Sequence, residues 1–128
     1  MIEVGAARPD FLSIGASFRA LGWRVLSIEP NPNFAALHRG LGHEIVEVAC
    51  GEEDADNVRF FVVNSKGAMY LGGKVTGESF SSLGIRGDYA ELFRTTNLET
   101  TEIKVQVRRL DRIVAESSPP ISQINLIP

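Results

Sequence analysis

The first 32 residues contain a β-α-β pattern that constrains the fold more than any other part of the chain. A short apolar strand at Ile2 to Val4 leads directly into three small residues, Gly5 to Ala7, before a helix and a second strand that ends at Glu29. Small residues let a ligand approach the backbone at the start of a helix. A carboxylate about 20 residues further on can bind both hydroxyls of a ribose. The segment therefore predicts a site for an adenosine-type cofactor.

The helix between the two strands has recognisable ends. Asp10 is a candidate N-cap, and Gly22 is placed to end the helix. Apolar residues at helical spacing predict one face that packs on a sheet, namely Phe11, Ile14, Phe18 and Leu21. The next strand, Trp23 to Glu29, has the nearly continuous apolar run of a buried parallel strand.

A second helix and a third strand continue this series. Asn31 and Pro32 provide an N-cap followed by proline at the first helical position. Phe34, Leu37 and Leu41 are predicted to line one side of this helix, and Gly42 to end it. The third strand is predicted to run from Ile45 through Val48 to Ala49, Cys50 and Gly51. The resulting parallel β-α-β-α-β series, with right-handed crossovers, is one half of an α/β Rossmann-like sheet.

The second half of the chain has a different pattern. Val58 to Val63 reads as an apolar strand, and Asn64 to Thr101 as a long loop or loose hairpin rich in glycine. Ile103 to Arg108 alternates apolar and polar residues, so we predict a strand antiparallel to the previous one. Asp111 is a candidate cap of a short helix through Val114, before a last apolar run between Ile121 and Ile127.

Composition limits the function classes. The 128 residues, 44% of them hydrophobic, fit a single domain. The net charge of −3, without a run of Lys and Arg, disfavours nucleic acid as a partner, so a small molecule fits better. A single cysteine predicts a reducing, cytoplasmic setting. No apolar stretch reaches the ~18 residues of a membrane span, so we expect no membrane partner.

Several polar residues have two readings from the sequence alone. Glu29 is either the ribose ligand or a solvated acid at a strand end. Glu3 lies inside the first strand, where a carboxylate must be paired or face the amine of a ligand. Arg8 and Asp10 are either a ligand contact and a helix cap or a loop ion pair. His38 and His43 have no partner at metal-ligand spacing, so we predict surface residues and no metal site.

Two further candidates follow the third strand. Cys50 and Gly51 can border an adenine ring, although a lone cysteine is more often a small buried residue. Acidic residues in the next turn are either hydroxyl or adenine ligands or simply solvated, namely Glu52, Glu53, Asp54 and Asp56.

Taken in order, four segments resemble the FkbM family of S-adenosylmethionine-dependent methyltransferases: IEVGAARPD, ALGWRVLSIEPNP, EIVEVACGEED and VRRLD. The resemblance implies the class I methyltransferase sheet followed by an antiparallel hairpin that ends in the pair Leu110 and Asp111. It also implies O-methylation of a small-molecule or sugar hydroxyl with S-adenosylmethionine as the cofactor. Positioning of the two substrates then suffices, and no nucleophilic side chain is needed.

The resemblance also implies roles for individual residues. The cofactor-binding residues would be Glu3, Gly5, Ala6 and Ala7 beside the methionine part, Glu29 on the ribose with Pro30 and Asn31 in the turn behind it, and Cys50 and Gly51 near the adenine. The resemblance identifies no catalytic residue.

Two departures from the family pattern qualify this expectation. The loop has one glycine where class I enzymes often have two or three. The next family strand, an acidic Asp-Val-Glu-Gly-like segment, is absent, because the chain stops at Ile124 to Pro128. We therefore expect a fragment or a truncated relative that holds mainly the cofactor-binding half, with an open edge on the first strand through which copies can pair. A non-catalytic association domain and an NAD-binding oxidoreductase half remain alternatives.

Overall fold

The computed structural model describes residues 1–11, 13–64, 69–70, 75–76, 81, 83–84 and 99–128. The strands are β1 (Ile2–Val4), β2 (Leu26–Ile28), β3 (Glu44–Val46), β4 (Ala49–Cys50), β5 (Ala55–Asn64), β6 (Met69–Tyr70), β7 (Val75–Thr76) and β8 (Glu99–Arg108). The helices are α1 (Ile14–Ala20), α2 (Pro32–Gly40) and α3 (Leu110–Ala115). The chain divides into two compact units, Met1–Asp56 with Gln106–Pro128, and Asn57–Val105.

The first three strands form a parallel sheet in the order β1-β2-β3. Ile2 pairs with Leu26, and Leu26 pairs with Glu44. Helix α1 connects β1 to β2 and helix α2 connects β2 to β3. This arrangement confirms the predicted β-α-β-α-β series of a Rossmann-like fold. It places the carboxyl ends of β1 and β2 side by side.

The predicted third strand is two strands. β3 ends at Val46, and the Val48 N–H donates to the Val46 carbonyl at 3.1 Å. This tight turn takes the chain out of the first sheet, and Ala49 and Cys50 then pair in parallel with β8. The run from Ile45 to Ala49, apolar except for Glu47, concealed the turn, because residues of the same kind continue from one strand into the other.

The second sheet has the strand order β4-β8-β5. Strands β5 and β8 run antiparallel, as predicted: Asn64 Nδ2 donates to Thr101 Oγ1 at 2.9 Å, and Arg108 Nη2 lies 2.7 Å from Asp56 Oδ1. Along β8 Val105 is buried and its neighbours are exposed, which confirms the alternation. Within the predicted loop, β6 and β7 form an antiparallel pair; most of the remaining prediction for Asn64 to Thr101 lies outside the described residues.

The parallel sheet has one apolar and one polar face. Ile2, Leu26 and Ile28 point to one side and pack with Val48 and Ile113 in a buried cluster. Because side chains alternate along a strand, Glu3 and Ser27 point to the other side, where both are buried. The nearly continuous apolar run of the second strand is interrupted only by Ser27, and the structure shows that this serine belongs to a buried polar layer.

Helix α1 contacts this polar layer, and its predicted apolar face is wrong for three of the four residues; the fourth, Phe18, is half-buried and packs edge-on against Trp23. Phe11, Ile14 and Leu21 are 42%, 52% and 75% exposed, and the buried residue of the helix is Gly15. The Gly15 N–H donates to Glu3 Oε1 at 2.8 Å, so the helix turns its smallest residue towards the sheet. The spacing of apolar residues in the helix predicted that its apolar side faces the sheet. That spacing carries no information about the Glu3 carboxylate, which is buried on the sheet opposite the helix.

The start of helix α1 also differs from the prediction. The N-cap is Ser13, whose Oγ accepts from the Ala16 N–H at 3.2 Å. Asp10 instead accepts two hydrogen bonds from the guanidinium of Arg8. Of the two readings of this pair, the structure shows the loop ion pair.

Helix α2 begins as predicted and packs differently. Asn31 Oδ1 accepts from the Asn33 N–H at 3.0 Å, which confirms the cap before Pro32. The buried residues are Phe34, Ala35 and His38, whereas Leu37 and Leu41 are exposed. The helix ends at Gly40, two residues before Gly42, and its packed face includes a histidine.

The start of helix α3 contacts another part of the chain. It starts at Leu110, and the Arg109 N–H donates to Asp54 Oδ1 at 2.8 Å. Asp111, the predicted cap, lies in the first turn and pairs with Arg109. A short-range pattern cannot reveal a contact made with a residue 55 positions away.

The C-terminal residues lie beside the first strand. The Ile2 N–H donates to the Leu126 carbonyl at 3.0 Å, so one backbone group on the outer edge of β1 is paired. Within the described residues, none of the helices is long and apolar enough to cross a membrane.

We expect Gly15→Ala to destabilise the protein although alanine is the better helix former. A Cβ at this position would lie 2.3 Å from Glu3 Oε2 and 2.8 Å from Arg19 Nη1, so the buried layer must shift. The expected cost is about 1–3 kcal/mol in the free energy of unfolding, measured by urea denaturation. Gly40→Ala is the matched control, since a Cβ there meets nothing within 4 Å. Equal stabilities of the two variants would contradict the described contact between α1 and Glu3.

Candidate functional site

The small-residue loop after β1 folds over the end of β2. The N–H groups of Gly5 and Ala6 both donate to the Ile28 carbonyl, at 2.9 and 3.2 Å. Gly5 has a φ of +70°, a left-handed conformation that glycine adopts without a steric cost. A Cβ built on Gly5 meets nothing within 4 Å, so the space beside this residue is open. The loop therefore leaves room for a ligand at the carboxyl end of the sheet.

Glu29 joins this loop to the turn after β2. Its Oε2 accepts from the Ala7 N–H and its Oε1 from the Asn31 N–H, both at 2.8 Å. The side chain is 5% exposed. Burial raises the pKa of this carboxyl, and the two backbone hydrogen bonds act in the opposite direction because they favour the carboxylate. The sequence placed an acid here, and the structure shows that it also connects the first and second β-α turns.

Ala7 is held in an uncommon backbone conformation. Its φ is +48°, in the left-handed region that is costly for a residue with a Cβ. Its carbonyl lies 3.1 Å from Nε2 of His38, and Nδ1 of His38 lies 3.1 Å from Nδ1 of His43. His38 is fully buried, so the prediction of a surface residue is wrong for this histidine.

Glu3 lies below the loop, among groups of the protein itself. Besides the Gly15 N–H, its carboxylate accepts from Ser27 Oγ at 3.4 Å and lies 3.7 Å from Arg19 Nη2. Of the two roles that the sequence left open, the structure shows pairing within the protein. A contact between Glu3 and a ligand stays a prediction.

Cys50 and Gly51 have their contacts in the second sheet. The Gly51 N–H donates to the Arg108 carbonyl at 3.1 Å, and a Cβ on Gly51 would lie 2.4 Å from Val107 Cγ1. Cys50 packs against the apolar cluster, and burial raises the pKa of its thiol. The thiol is therefore a poor nucleophile at neutral pH. The structure thus brings together Gly5 to Ala7, Glu29 and Asn31, while Cys50 and Gly51 contact β8.

The sheet order and the loop at its carboxyl end agree with a comparison against known families. The family model described as the methyltransferase FkbM domain matches residues 3–127. The chain belongs to the FkbM methyltransferase family. No curated protein and no solved structure gives a significant match. Family membership confirms the resemblance found in the sequence and indicates a methyltransferase.

In this FkbM domain the acidic turn after β4 contacts basic side chains. Asp54 Oδ2 lies 2.6 Å from Arg112 Nη1, and this hydrogen bond is the main reason why the pKa of Asp54 is lowered. Asp56 pairs with Arg108. These two acids therefore stabilise the start of α3 and the end of β8. Among the described residues, no cluster of His, Cys, Asp and Glu is arranged to hold a metal ion.

Two residues that sequence reasoning missed support the loop of the FkbM domain. Gly15 allows α1 to approach Glu3, and His38 contacts the Ala7 carbonyl. His38 follows Phe34 by four positions, so both lie on one helix face, and this spacing was the available signal. Nothing in the local pattern around Gly15 indicated a buried acid opposite it.

We expect Glu29→Gln to loosen the loop of the FkbM domain. The amide places an N–H₂ donor opposite one of two backbone N–H donors, so one buried donor loses its acceptor. The expected cost is about 1–3 kcal/mol in the free energy of unfolding, with faster hydrogen exchange at the Ala7 or Asn31 amide. The exposed Glu53→Gln is the control. Unchanged exchange at both amides would show that the carboxylate does not join the two turns.

Stability of the FkbM domain is expected to fall as the pH drops below about 6.5. Burial is the main reason why the pKa values of His38 and His43 lie below the ordinary value of 6.5. The unfolded chain then binds more protons than the folded one, so the histidine contribution is complete above 6.5 and declines towards the lowered folded pKa values.

Urea midpoints of wild type and His43→Asn, measured from about pH 8 to about pH 5.5, test this expectation. Above pH 4.5 the raised pKa of Glu29 has the opposite effect, because it makes the protein more stable as the pH falls. Both proteins contain Glu29, so this effect cancels in the comparison. The variant has one titrating group fewer and should lose less stability. Identical pH profiles would exclude a contribution from His43.

Proposed function

We propose that this FkbM domain binds S-adenosylmethionine at the carboxyl ends of β1 and β2 and serves an O-methyltransferase reaction. The proposal depends chiefly on one observation, the Glu29 carboxylate that accepts hydrogen bonds from both β-α turns. The crevice outside the carboxyl ends of parallel strands is where open α/β sheets bind ligands. Family membership over residues 3–127 supports a methyltransferase at this site.

The residues present fit an adenosyl cofactor. Each carboxylate oxygen of Glu29 accepts one hydrogen bond from the protein, and a carboxylate has about four lone-pair sites. Both oxygens therefore retain a site for a ribose hydroxyl. Open space beside Gly5 suits the close approach of the methionine part to Gly5, Ala6 and Ala7. Asn31, 2% exposed and engaged as the α2 cap, holds the turn with Pro30 in place behind the ribose.

In this proposal the bound cofactor supplies an electrophilic methyl group on a sulfonium, and the chain positions it. The loop orients the methionine part of the cofactor and Glu29 its ribose, so the barrier is lowered by orientation rather than by a protein nucleophile. Cys50 and Gly51 are proposed to border the adenine. We propose a small-molecule or sugar hydroxyl as the acceptor and a cytoplasmic setting, because the chain has a net charge of −3 and one cysteine.

Isothermal titration of the full chain with S-adenosylhomocysteine and with NAD tests the cofactor class. We expect binding of S-adenosylhomocysteine and none of NAD. Binding of NAD alone would replace the methyltransferase proposal with an oxidoreductase half. Binding of neither ligand would favour an association domain that has kept the fold.

A deoxy analogue tests whether Glu29 itself contacts the ribose. Glu29→Ala is expected to weaken S-adenosylhomocysteine binding by about 1–3 kcal/mol through lost charge-assisted hydrogen bonds, with Glu53→Ala as the control. The 2′-deoxy analogue should bind wild type more weakly than the parent ligand, and this difference should vanish in Glu29→Ala. A difference of equal size in both proteins would mean that Glu29 acts only through the loop.

A further inference from the structure

The carbonyl of Ala7 depends on a residue outside the loop. The backbone of Ala7 is in the left-handed region, with a φ of +48°. Hydrogen bonds on both sides of the residue keep it in that conformation. Its N–H donates to Glu29, and its carbonyl accepts from Nε2 of His38 at 3.1 Å. A loop residue that is strained and held on both sides has one backbone orientation rather than several.

We propose that His38 is a positioning residue for cofactor binding, which holds the Ala7 carbonyl so that the loop after β1 stays open to the ligand, and that His43 sets its tautomer. The inference rests on the proposed function. His38 is fully buried on α2 and does not line the open space beside Gly5, so it acts through Ala7 and not by touching the ligand.

The hydrogen-bond partners allow one arrangement of protons when both rings are neutral. A carbonyl only accepts, so Nε2 of His38 must carry the hydrogen. Nδ1 of His38 is then an acceptor, and the hydrogen between the rings must come from Nδ1 of His43 at 3.1 Å. The backbone supports this contact, since the His43 N–H donates to the His38 carbonyl at 3.0 Å.

Protonation of both rings would break this arrangement, because two N–H groups would then face each other across the same contact. The charged groups that act on the pair are Arg19 of α1, which disfavours added protons, and Glu3 of β1, which favours them. The Arg19 guanidinium is itself paired with Glu3 and Ser27, so this cation is held in place. A protonated His38 still donates from Nε2 to the Ala7 carbonyl, a contact that favours the charged ring. Acid should therefore weaken the site by pushing the two rings apart, which shifts His38 and with it the Ala7 carbonyl.

Three variants of the full chain separate the roles of the two histidines. His38→Leu fills the buried position but cannot donate, whereas the amide of His38→Gln can place a donor where Nε2 lies. His43→Asn keeps a donor near the position of Nδ1 and removes a titrating group. Thermal unfolding and an amide correlation spectrum establish that each variant is folded.

Titration with S-adenosylhomocysteine at about pH 7.5 and about pH 5.5 measures the effect on the site. At the higher pH we expect His38→Leu to bind about tenfold more weakly and His38→Gln to recover to within about threefold of wild type, as for one hydrogen bond. His43→Asn should match wild type at the higher pH and lose less affinity at the lower one. Equal affinities of His38→Leu and wild type, or no rescue by glutamine, would overturn the proposal.

Nuclear magnetic resonance of the free protein distinguishes this inference from the proposed function. Wild-type His38 should show the Nε2–H tautomer, and the Ala7 amide should shift in His38→Leu and return in His38→Gln. If wild type fails to bind S-adenosylhomocysteine, the proposed function fails, and these two signals still decide whether His38 holds the loop. If His38→Leu does not fold, the glutamine and asparagine variants decide it. An Nδ1–H tautomer of His38, or an Ala7 amide whose chemical shift is the same in wild type and His38→Leu, would overturn the inference.

Discussion

The buried carboxylate of Glu29 is the contact on which the ligand end of this domain depends. It accepts hydrogen bonds from Ala7 and Asn31, which belong to the turns that follow β1 and β2. Burying a carboxylate is costly unless it is hydrogen-bonded, and the two backbone donors offset that cost. The same contact orients the loop, and each carboxylate oxygen accepts only one of these two hydrogen bonds. A structural and a ligand-binding role are therefore compatible in one side chain.

The two faces of the parallel sheet below this contact differ in polarity. One face is apolar and packs with Val48 and Ile113, whereas the other carries Glu3 and Ser27 against helix α1. The polar layer explains why α1 turns Gly15 inwards and leaves larger apolar residues at the surface. Polar contacts require particular partners and distances, so this layer sets the position of α1 more strictly than apolar packing alone would.

The family and the fold could be predicted from the sequence because they follow from patterns of neighbouring residues along the chain. The small-residue loop after β1, the cap at Asn31 and the alternation along β8 each predicted the element that the structure shows. Helix faces were less accessible. Periodicity ranks apolar positions, but His38 and Gly15 are buried by what lies opposite them, and that information comes from other parts of the chain.

The sequence by itself determined the β-α-β-α-β order, the family and the position of an acid after the second strand, because each follows from residue spacing along the chain. Only the tertiary structure decided that Glu29 joins two turns, that Glu3 is paired inside and that a histidine holds the Ala7 carbonyl. Apart from the local hydrogen bond between Glu29 and Asn31, these contacts link residues 12 to 31 positions apart. Hydrogen bonds of this kind depend on distances between folded elements, and no local pattern records those distances.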